Sequence, residues 1–387
     1  MAITILQNPA VVNLSQSPMA FAVSSSSDVA NEGFQYVCDL YIWSGSAAVS
    51  GSPAYTLVKY PNNQLVGIFE VSRIVNSTMT DLLETTPSNV KYVKGVMYYQ
   101  FLSGSTYITS STKVDTNIVK GLDGYAIFQE PIGQPVYAKT PYWPLMTDGP
   151  ATQSVFINST GKSGVYTSEA GSDEPTKLVY TSNLGVTAEI ALSGSTNSTQ
   201  QIQQYPVAPG QAGFPISTIG LESYTIRPYV GTTPMGTSIK YEISCQQKYP
   251  NVRIKWKNRF GQFDYYNFYM VSRQSFSTEK RTYEPQLGSW DSRVLEYNKY
   301  DTAVQNYIVD SKLGISVNSW FVPEEWNEIL KQLLVSDEIY WIYDEDNNYV
   351  RPLTVVTSNV VFKTGVVDHL IQYQIDFNYG QGYKLII

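Results

Sequence analysis

The sequence has few of the residues from which active sites are usually built. Its 387 residues include one histidine, His369, and two cysteines. A lone histidine excludes metal centres with several histidines, and no Gly-x-Ser-x-Gly turn accompanies it to suggest a catalytic triad. A Gly-rich phosphate loop is also missing. We therefore expect no enzyme activity, no catalytic residues, and no metal or other cofactor, with His369 a polar residue at a strand edge.

The two cysteines, Cys38 and Cys245, are too far apart in the sequence to indicate a disulfide framework. Each belongs to a run in which apolar and polar residues alternate, so we expect both to be small buried apolar residues. A disulfide between them is the less favoured alternative.

Charge and long apolar runs are scarce as well. Charged residues make up 15% of the chain and the formal net charge is −7. An acidic chain is poorly suited to bind nucleic acid non-specifically, because phosphates attract basic patches. No apolar run is long enough for a membrane span, and the N-terminus does not resemble a signal peptide. We expect synthesis in the cytoplasm, no membrane span and no specific nucleic-acid partner.

What the chain has is tyrosine, with 31 residues, and many short alternating runs separated by turn residues. This pattern predicts a mainly β protein with two or more β-sandwich or barrel-like domains. A loop with three prolines at 141–150 separates an N-terminal β domain (1–140) from a second β domain (151–280). The last part, residues 281–387, is predicted to be an α+β region with one amphipathic helix and a long-stranded sheet.

The helix is predicted at residues 323–335. Pro323 suits a first helical turn, and the apolar residues that follow recur at helical spacing. Its apolar face would consist of Trp326, Ile329, Leu330, Leu333 and Leu334, and its polar face of Asn327, Glu328, Lys331 and Gln332. A shorter helix within Ser72–Leu83 and strands at Val360–Thr364 and Leu370–Asn378 are also predicted.

A hairpin in residues 248–271 is the most distinctive stretch. Val252, Ile254 and Trp256 alternate with Arg253, Lys255 and Lys257, which gives a strand with one apolar and one basic face. The turn Asn258-Arg-Phe-Gly261 needs a left-handed residue, which glycine supplies.

The basic face of the hairpin provides the candidate interface residues Arg253, Lys255 and Lys257. Since charges in water do not build a core, we expect these side chains to face either solvent or an adjoining subunit. A solvated strand face that pairs with acidic neighbours is the simpler interpretation.

Two weaker site patterns are present. Asp344, Asp346 and Asn348 have the spacing of a calcium loop, but Tyr349 stands where that loop needs glycine, so calcium binding is not favoured. The aromatic residues Trp43, Trp143, Trp256 and Tyr265 could stack on sugars, although in a chain with 13% aromatic residues most such rings belong to the core.

Three stretches together resemble virion structural proteins of tailed phages that infect Bacteroidetes, including crAss-like phages. They are Pro61–Val75, Lys255–Phe268, and the helix at 323–335 with the strands that end at Leu370–Asn378. The resemblance implies a subunit of the phage tail or its rings, located in the virion and made in the host cytoplasm. It also implies assembly with copies of itself and with other virion proteins, and no catalytic residues.

An auxiliary capsid protein fits the same features as a tail or ring subunit. A carbohydrate-binding adhesin is the alternative from a different class. A chain with little surface charge and many tyrosines is consistent with a subunit that its neighbours cover, because interfaces favour aromatic anchors.

Overall fold

The computed structural model describes residues 3–44, 49, 51–79, 90–127, 145–167, 175–192, 202–245, 248–288, 293–297, 299–344, 349–363 and 371–382. It confirms the predicted fold class: the chain is mainly β with several sheets, and the described part holds two helices. The chain forms two compact units. The N-terminal unit comprises residues 1–245 and 257–264, and the C-terminal unit comprises residues 246–256 and 265–387.

The first part of the N-terminal unit contains two sheets and one short helix. Their strand orders are β1-β3-β6 and β2-β10-β7-β4-β5, with β8 and β9 also paired to β7. The elements are β1 (Ile3–Gln7), β2 (Val12–Leu14), β3 (Ala20–Ser25), β4 (Gln35–Trp43), β5 (Tyr55–Lys59), β6 (Val66–Glu70), α1 (Ser72–Ser77), β7 (Val90–Ser103), β8 (Thr106–Thr109), β9 (Val114–Asp115) and β10 (Val119–Leu122).

These two sheets pack face to face as a sandwich. Phe21 and Phe69 of the smaller sheet share one buried cluster with Tyr36, Cys38 and Met97 of the larger sheet. The alternation in the sequence explains this, because every second residue of a strand points to the same face. Helix α1, Ser72–Ser77, lies within the stretch Ser72–Leu83 where a short helix is predicted, and residues 80–83 of that stretch lie outside the described ones.

A further sheet and a strand pair occupy residues 152–243 of the N-terminal unit. The sheet has the order β11-β18-β16-β13-β14 with β17 paired to β16, and β12 pairs with β15. The strands are β11 (Thr152–Val155), β12 (Lys162–Tyr166), β13 (Lys177–Ser182), β14 (Thr187–Ala191), β15 (Ile202–Pro206), β16 (Ser223–Val230), β17 (Thr233–Pro234) and β18 (Ile239–Ile243).

The C-terminal unit is built on a sheet that curls into a half-barrel. Its strand order is β20-β19-β23-β24-β25-β22-β21. The elements are β19 (Val252–Lys257), β20 (Phe263–Phe268), β21 (Arg273–Tyr283), β22 (Gln305–Asn318), α2 (Trp326–Val335), β23 (Ile339–Asp344), β24 (Tyr349–Val355) and β25 (Gln374–Tyr379). Residues 360–363 are irregular, so the predicted strand Val360–Thr364 is wrong over the part described.

Helix α2 packs against the apolar residues of this sheet. Its buried residues Trp326, Ile329, Leu330 and Leu333 join one cluster with Trp256 of β19 and Phe377 of β25. The predicted apolar face is therefore confirmed, but the helix begins at Trp326 and not at the predicted Pro323, because residues 323–325 form only a turn before it. The placement of Gln332 on the polar face is wrong, because its side chain is only 2% exposed.

The predicted hairpin exists, with β19 and β20 joined by residues 258–262. The amide N–H of Gly261 donates to the carbonyl of Asn258 (2.9 Å), and the Asn258 Oδ1 accepts from the N–H groups of Phe260 and Gln262 (3.0 Å each). Gly261 has φ +71°, as the turn prediction requires. The predicted division at 140, 151 and 280 stays a prediction, while the hairpin itself contributes residues to both units.

Replacement of Gly261 by alanine is expected to lower the melting temperature more than the same change at Gly104. Both glycines have positive φ, +71° and +67°, so a Cβ strains each by roughly 1–2 kcal/mol. At Gly261 the Cβ would also collide with the Asp123 carbonyl oxygen, whereas at Gly104 no atom lies within 4 Å. Thermal unfolding of both variants tests this, and equal losses would contradict it.

Candidate functional site

The strand β19 buries both of its faces. Val252, Ile254 and Trp256 belong to the core as predicted, but Arg253, Lys255 and Lys257 are also buried, with 2%, 4% and 7% exposure. Our expectation that these three basic residues face solvent or an adjoining subunit is therefore wrong. The physical reason is that each cationic group has a partner within the chain, which offsets the cost of removing it from water.

Arg253 and Lys255 find these partners on the strands beside β19. The Arg253 Nη1 donates to Asn267 Oδ1 on β20 (2.9 Å), and its guanidinium lies 4.8 Å from the centre of the Tyr265 ring. The Lys255 ammonium lies 5.4 Å from the centre of the Tyr340 ring on β23. Cation–π contacts of this kind stabilise a desolvated cation by about 2 kcal/mol. These residues thus hold the half-barrel together.

The third basic residue, Lys257, belongs to a polar cluster in the N-terminal unit. Its ammonium lies 2.8 Å from an Asp123 oxygen, and both side chains are almost fully buried. The Arg259 guanidinium bonds the Asp148 carboxylate through two nitrogens. Removal of one partner from such a buried pair costs about 3–5 kcal/mol, because the other charge is left without compensation.

Asp264 completes this polar cluster. Asn258 Nδ2 donates to its Oδ2 (3.0 Å) and to the carbonyl of Met146 (2.9 Å). Burial raises the pKa of Asp264 to about 7, against the opposing effect of hydrogen bonds from Thr147 and Asn258, and the Asp148 charge raises it further. A small cavity of about 80 Å³ adjoins Thr147, lined mainly by small side chains. The members of the cluster bind one another, so the cluster stabilises the fold.

The most exposed feature of the C-terminal unit is a two-stranded ribbon, which we call the arm: β21 with residues 305–313 of β22. Every residue of β21 is exposed. Among the described residues, β22 pairs with β25 through Gly314–Asn318, and no third strand pairs with the arm. Large side chains exposed on the arm and near its end are Phe276, Tyr283, Val294, Leu295, Tyr297, Tyr300, Val304, Tyr307 and Ile308.

Strand β22 of the arm was not among the predicted elements, although the sequence contains a signal for it. Val309, Leu313, Ile315 and Val317 alternate with polar or small residues, which is the period of a β-strand. That alternation predicts β22, but it cannot show that the outer half of the strand lacks a covering layer. The arm is therefore a feature that only the structure reveals.

A second exposed feature is an aromatic cluster on β23, β24 and β25. Tyr343 and Tyr349 are 43% and 56% exposed, with parallel rings 6.0 Å apart. Trp341 and Tyr379 form another parallel pair at 5.9 Å. The Arg351 guanidinium lies 4.3 Å from the centre of the Tyr343 ring and also over Trp341 and Tyr379. We call these five residues the aromatic cluster.

The structure describes both cysteines and some of the other candidate site residues. Cys38 is buried, as expected, and burial together with the Asp39 charge raises the pKa of its thiol to about 12. Cys245 is exposed, so its predicted burial is wrong, because it lies beyond the end of β18. Both are free thiols.

Trp43 and Trp256 are core residues, and Asp344 ends β23. His369, Trp143, Asp346 and Asn348 lie outside the described residues. Within the part of the chain that the structure describes, no group of three metal-ligating side chains is found, and no helix is long and apolar enough to cross a membrane.

Comparison with known proteins found no family model and no curated protein sequence that matches this chain. The functional inference therefore depends on the chain's own surface and chemistry.

Asp264 makes a specific pH dependence of stability expected. Its pKa is about 7 in the folded chain and 3.8 ordinarily, so between these values the folded state holds a proton that the unfolded state releases. This group's contribution to stability therefore falls as the pH rises from about 4 through about 7.

Urea unfolding of the wild type and of Asp264→Asn at pH 4 to 8 tests this expectation. The variant should be less destabilised than the wild type by the rise in pH, because its amide does not ionise. The exposed Asp115→Asn is the control and should keep the wild-type dependence. If the free energy of unfolding changed with pH in the same way for the wild type and for Asp264→Asn, the assignment of the raised pKa to Asp264 would be contradicted.

Proposed function

We propose that this chain is a structural subunit of a tailed-phage virion, a component of the tail or of a ring, which acts by assembly with neighbouring subunits. The observation that carries the proposal is the arm, whose eleven-residue strand β21 is exposed throughout. The sequence resemblance supplies the class of particle. Copies of this chain and other virion proteins are the proposed partners.

In an isolated chain the arm has little to stabilise it. Two-stranded ribbons are marginally stable in water, and this one exposes Phe276, Tyr307 and Ile308. Complete burial of a large apolar side chain contributes about 1.5–3 kcal/mol, so a partner that covers these residues stabilises the arm and itself. Aromatic anchors of this kind dominate the energetics of protein interfaces.

The proposal predicts that the chain is recovered in several copies from purified particles of the phage that encodes it. The double variant Phe276→Ser/Tyr307→Ser should fold, with circular dichroism like that of the wild type, but fail to enter particles. The control, Tyr55→Ser/Val58→Ser, changes two residues of similar exposure on β5 and should be incorporated. Particles that lack the wild-type chain would refute the proposal.

An auxiliary capsid protein would use the arm in the same way, so the arm does not separate the two positions. The location of the chain in an image reconstruction of the intact particle distinguishes them. Density at the tail or neck supports the proposal, and density on the capsid shell supports the alternative.

A second candidate function is carbohydrate binding by an adhesin, and the aromatic cluster favours it. Exposed rings such as Tyr343 and Tyr349 can stack on the apolar face of a sugar, while Arg351 can donate to its hydroxyl groups. This face is separate in the sequence from the arm.

Carbohydrate binding predicts that Tyr349→Ala weakens the interaction with a glycan about tenfold, since one stacked ring contributes roughly 1–1.5 kcal/mol. Titration calorimetry with neutral hexose and N-acetylhexosamine oligomers measures this. Tyr55→Ala on β5 is the control, with similar exposure. No heat of binding from any of these oligomers would refute this candidate.

A further inference from the structure

The free edge of the arm has a sequence that is complementary to itself. Strand β21 pairs with β22 on one side and lies at the end of the strand order, so its other edge is open among the described residues. Such an edge presents a row of backbone N–H and C=O groups to a further strand.

The two faces of the arm differ in chemistry. Phe276 lies opposite Leu313 on the face that continues to the buried Ile315. The other face carries Arg273 and Glu279. A partner strand must therefore offer an apolar residue on one face and opposite charges on the other.

Glu279 lies directly opposite Asp310 within the arm. Like charges in this position destabilise a strand pair, and a cation from a partner would relieve the repulsion. Neither carboxylate, nor Arg273, forms an ion pair with another residue that the structure describes. Arg273, Glu279 and Asp310 of the arm could therefore form ion pairs with a partner strand.

We propose that the partner is a second copy of this chain, whose β21 pairs antiparallel with β21 about a two-fold axis at Phe276. This inference rests on the proposed function and names the partner of the arm. In this register Arg273 of each copy faces Glu279 of the other. The two Phe276 rings meet at the axis, between the two Leu313 side chains, and form an apolar row across four strands.

Other two-fold registers fit less well. With the axis at Thr278, no charge lies opposite an opposite charge, and Phe276 faces Lys280. With the axis at Lys280, Glu279 faces Arg281, but the two Lys280 ammonium groups face each other and repel. Charge and apolar complementarity therefore both select the axis at Phe276. Such a contact is compatible with rings, because dihedral assemblies include two-fold contacts.

A charge exchange tests this register on the purified full-length chain. Sedimentation equilibrium should show a wild-type dimer. Arg273→Glu and Glu279→Arg should each weaken it about tenfold, because each creates two like-charge pairs. The double variant, which restores both pairs with reversed sign, should recover wild-type affinity. Lys312→Glu, a charge reversal on the neighbouring strand, is the matched control and should leave the dimer unchanged.

Disulfide formation provides a second measurement. In this register Ser275 faces Ser277 of the other copy, within the distance that a disulfide spans. In a Cys245→Ser background, a mixture of Ser275→Cys and Ser277→Cys chains should form a cross-linked dimer on oxidation, and neither variant alone should do so efficiently.

The outcomes separate this inference from the proposed function. A wild-type dimer without rescue by the double variant, or without the mixed cross-link, overturns the register. A wild-type chain that is monomeric at all concentrations overturns the second copy as partner, while incorporation into particles still decides the proposed function.

Discussion

The burial of strand β19 on both faces is the constraint on which the rest of the structure depends. Its apolar face anchors the core beneath helix α2, with Trp256 fully buried. Its basic face is equally hidden, so Arg253 and Lys255 need the rings of Tyr265 and Tyr340. A buried cation without such neighbours would cost several kcal/mol, and the strands on both sides of β19 are therefore fixed in identity and register.

The polar cluster around the hairpin turn belongs to the N-terminal unit. Lys257 pairs with Asp123, and Asn258 both shapes the turn and donates to Asp264. Such a cluster is satisfied only when each member is in place, so it favours one arrangement of the chain. Burial raises the pKa of the Asp264 carboxyl group, and the hydrogen bond from Asn258 holds this group in the cluster.

In contrast to the buried charges of the hairpin, the C-terminal sheet exposes aromatic side chains on its surface. The arm and the aromatic cluster lie on the same sheet and differ in character: one is an open strand edge, the other a flat face of rings around Arg351. An open edge is suited to another strand, because backbone groups supply most of its bonds. A face of rings is suited to a flat ligand or partner. The assembly function that we propose follows from the first of these.

The sequence by itself determined the fold class, the apolar face of α2 and the turn at Gly261. These are local properties: side-chain alternation, helical spacing and the left-handed conformation of glycine are all written in neighbouring residues. It also indicated that Val252, Ile254 and Trp256 share a core face.

Only the tertiary structure decided what covers the basic face of β19 and the faces of the arm. Whether Arg253, Lys255 and Lys257 meet water or protein depends on Tyr265, Tyr340 and Asp123, two of which are distant in the sequence. The exposure of the arm was likewise not local, since residues 309–317 of β22 alternate in the same way through its exposed and its buried part. Periodicity assigns a residue to a face, but only the packing of distant strands decides whether that face is covered.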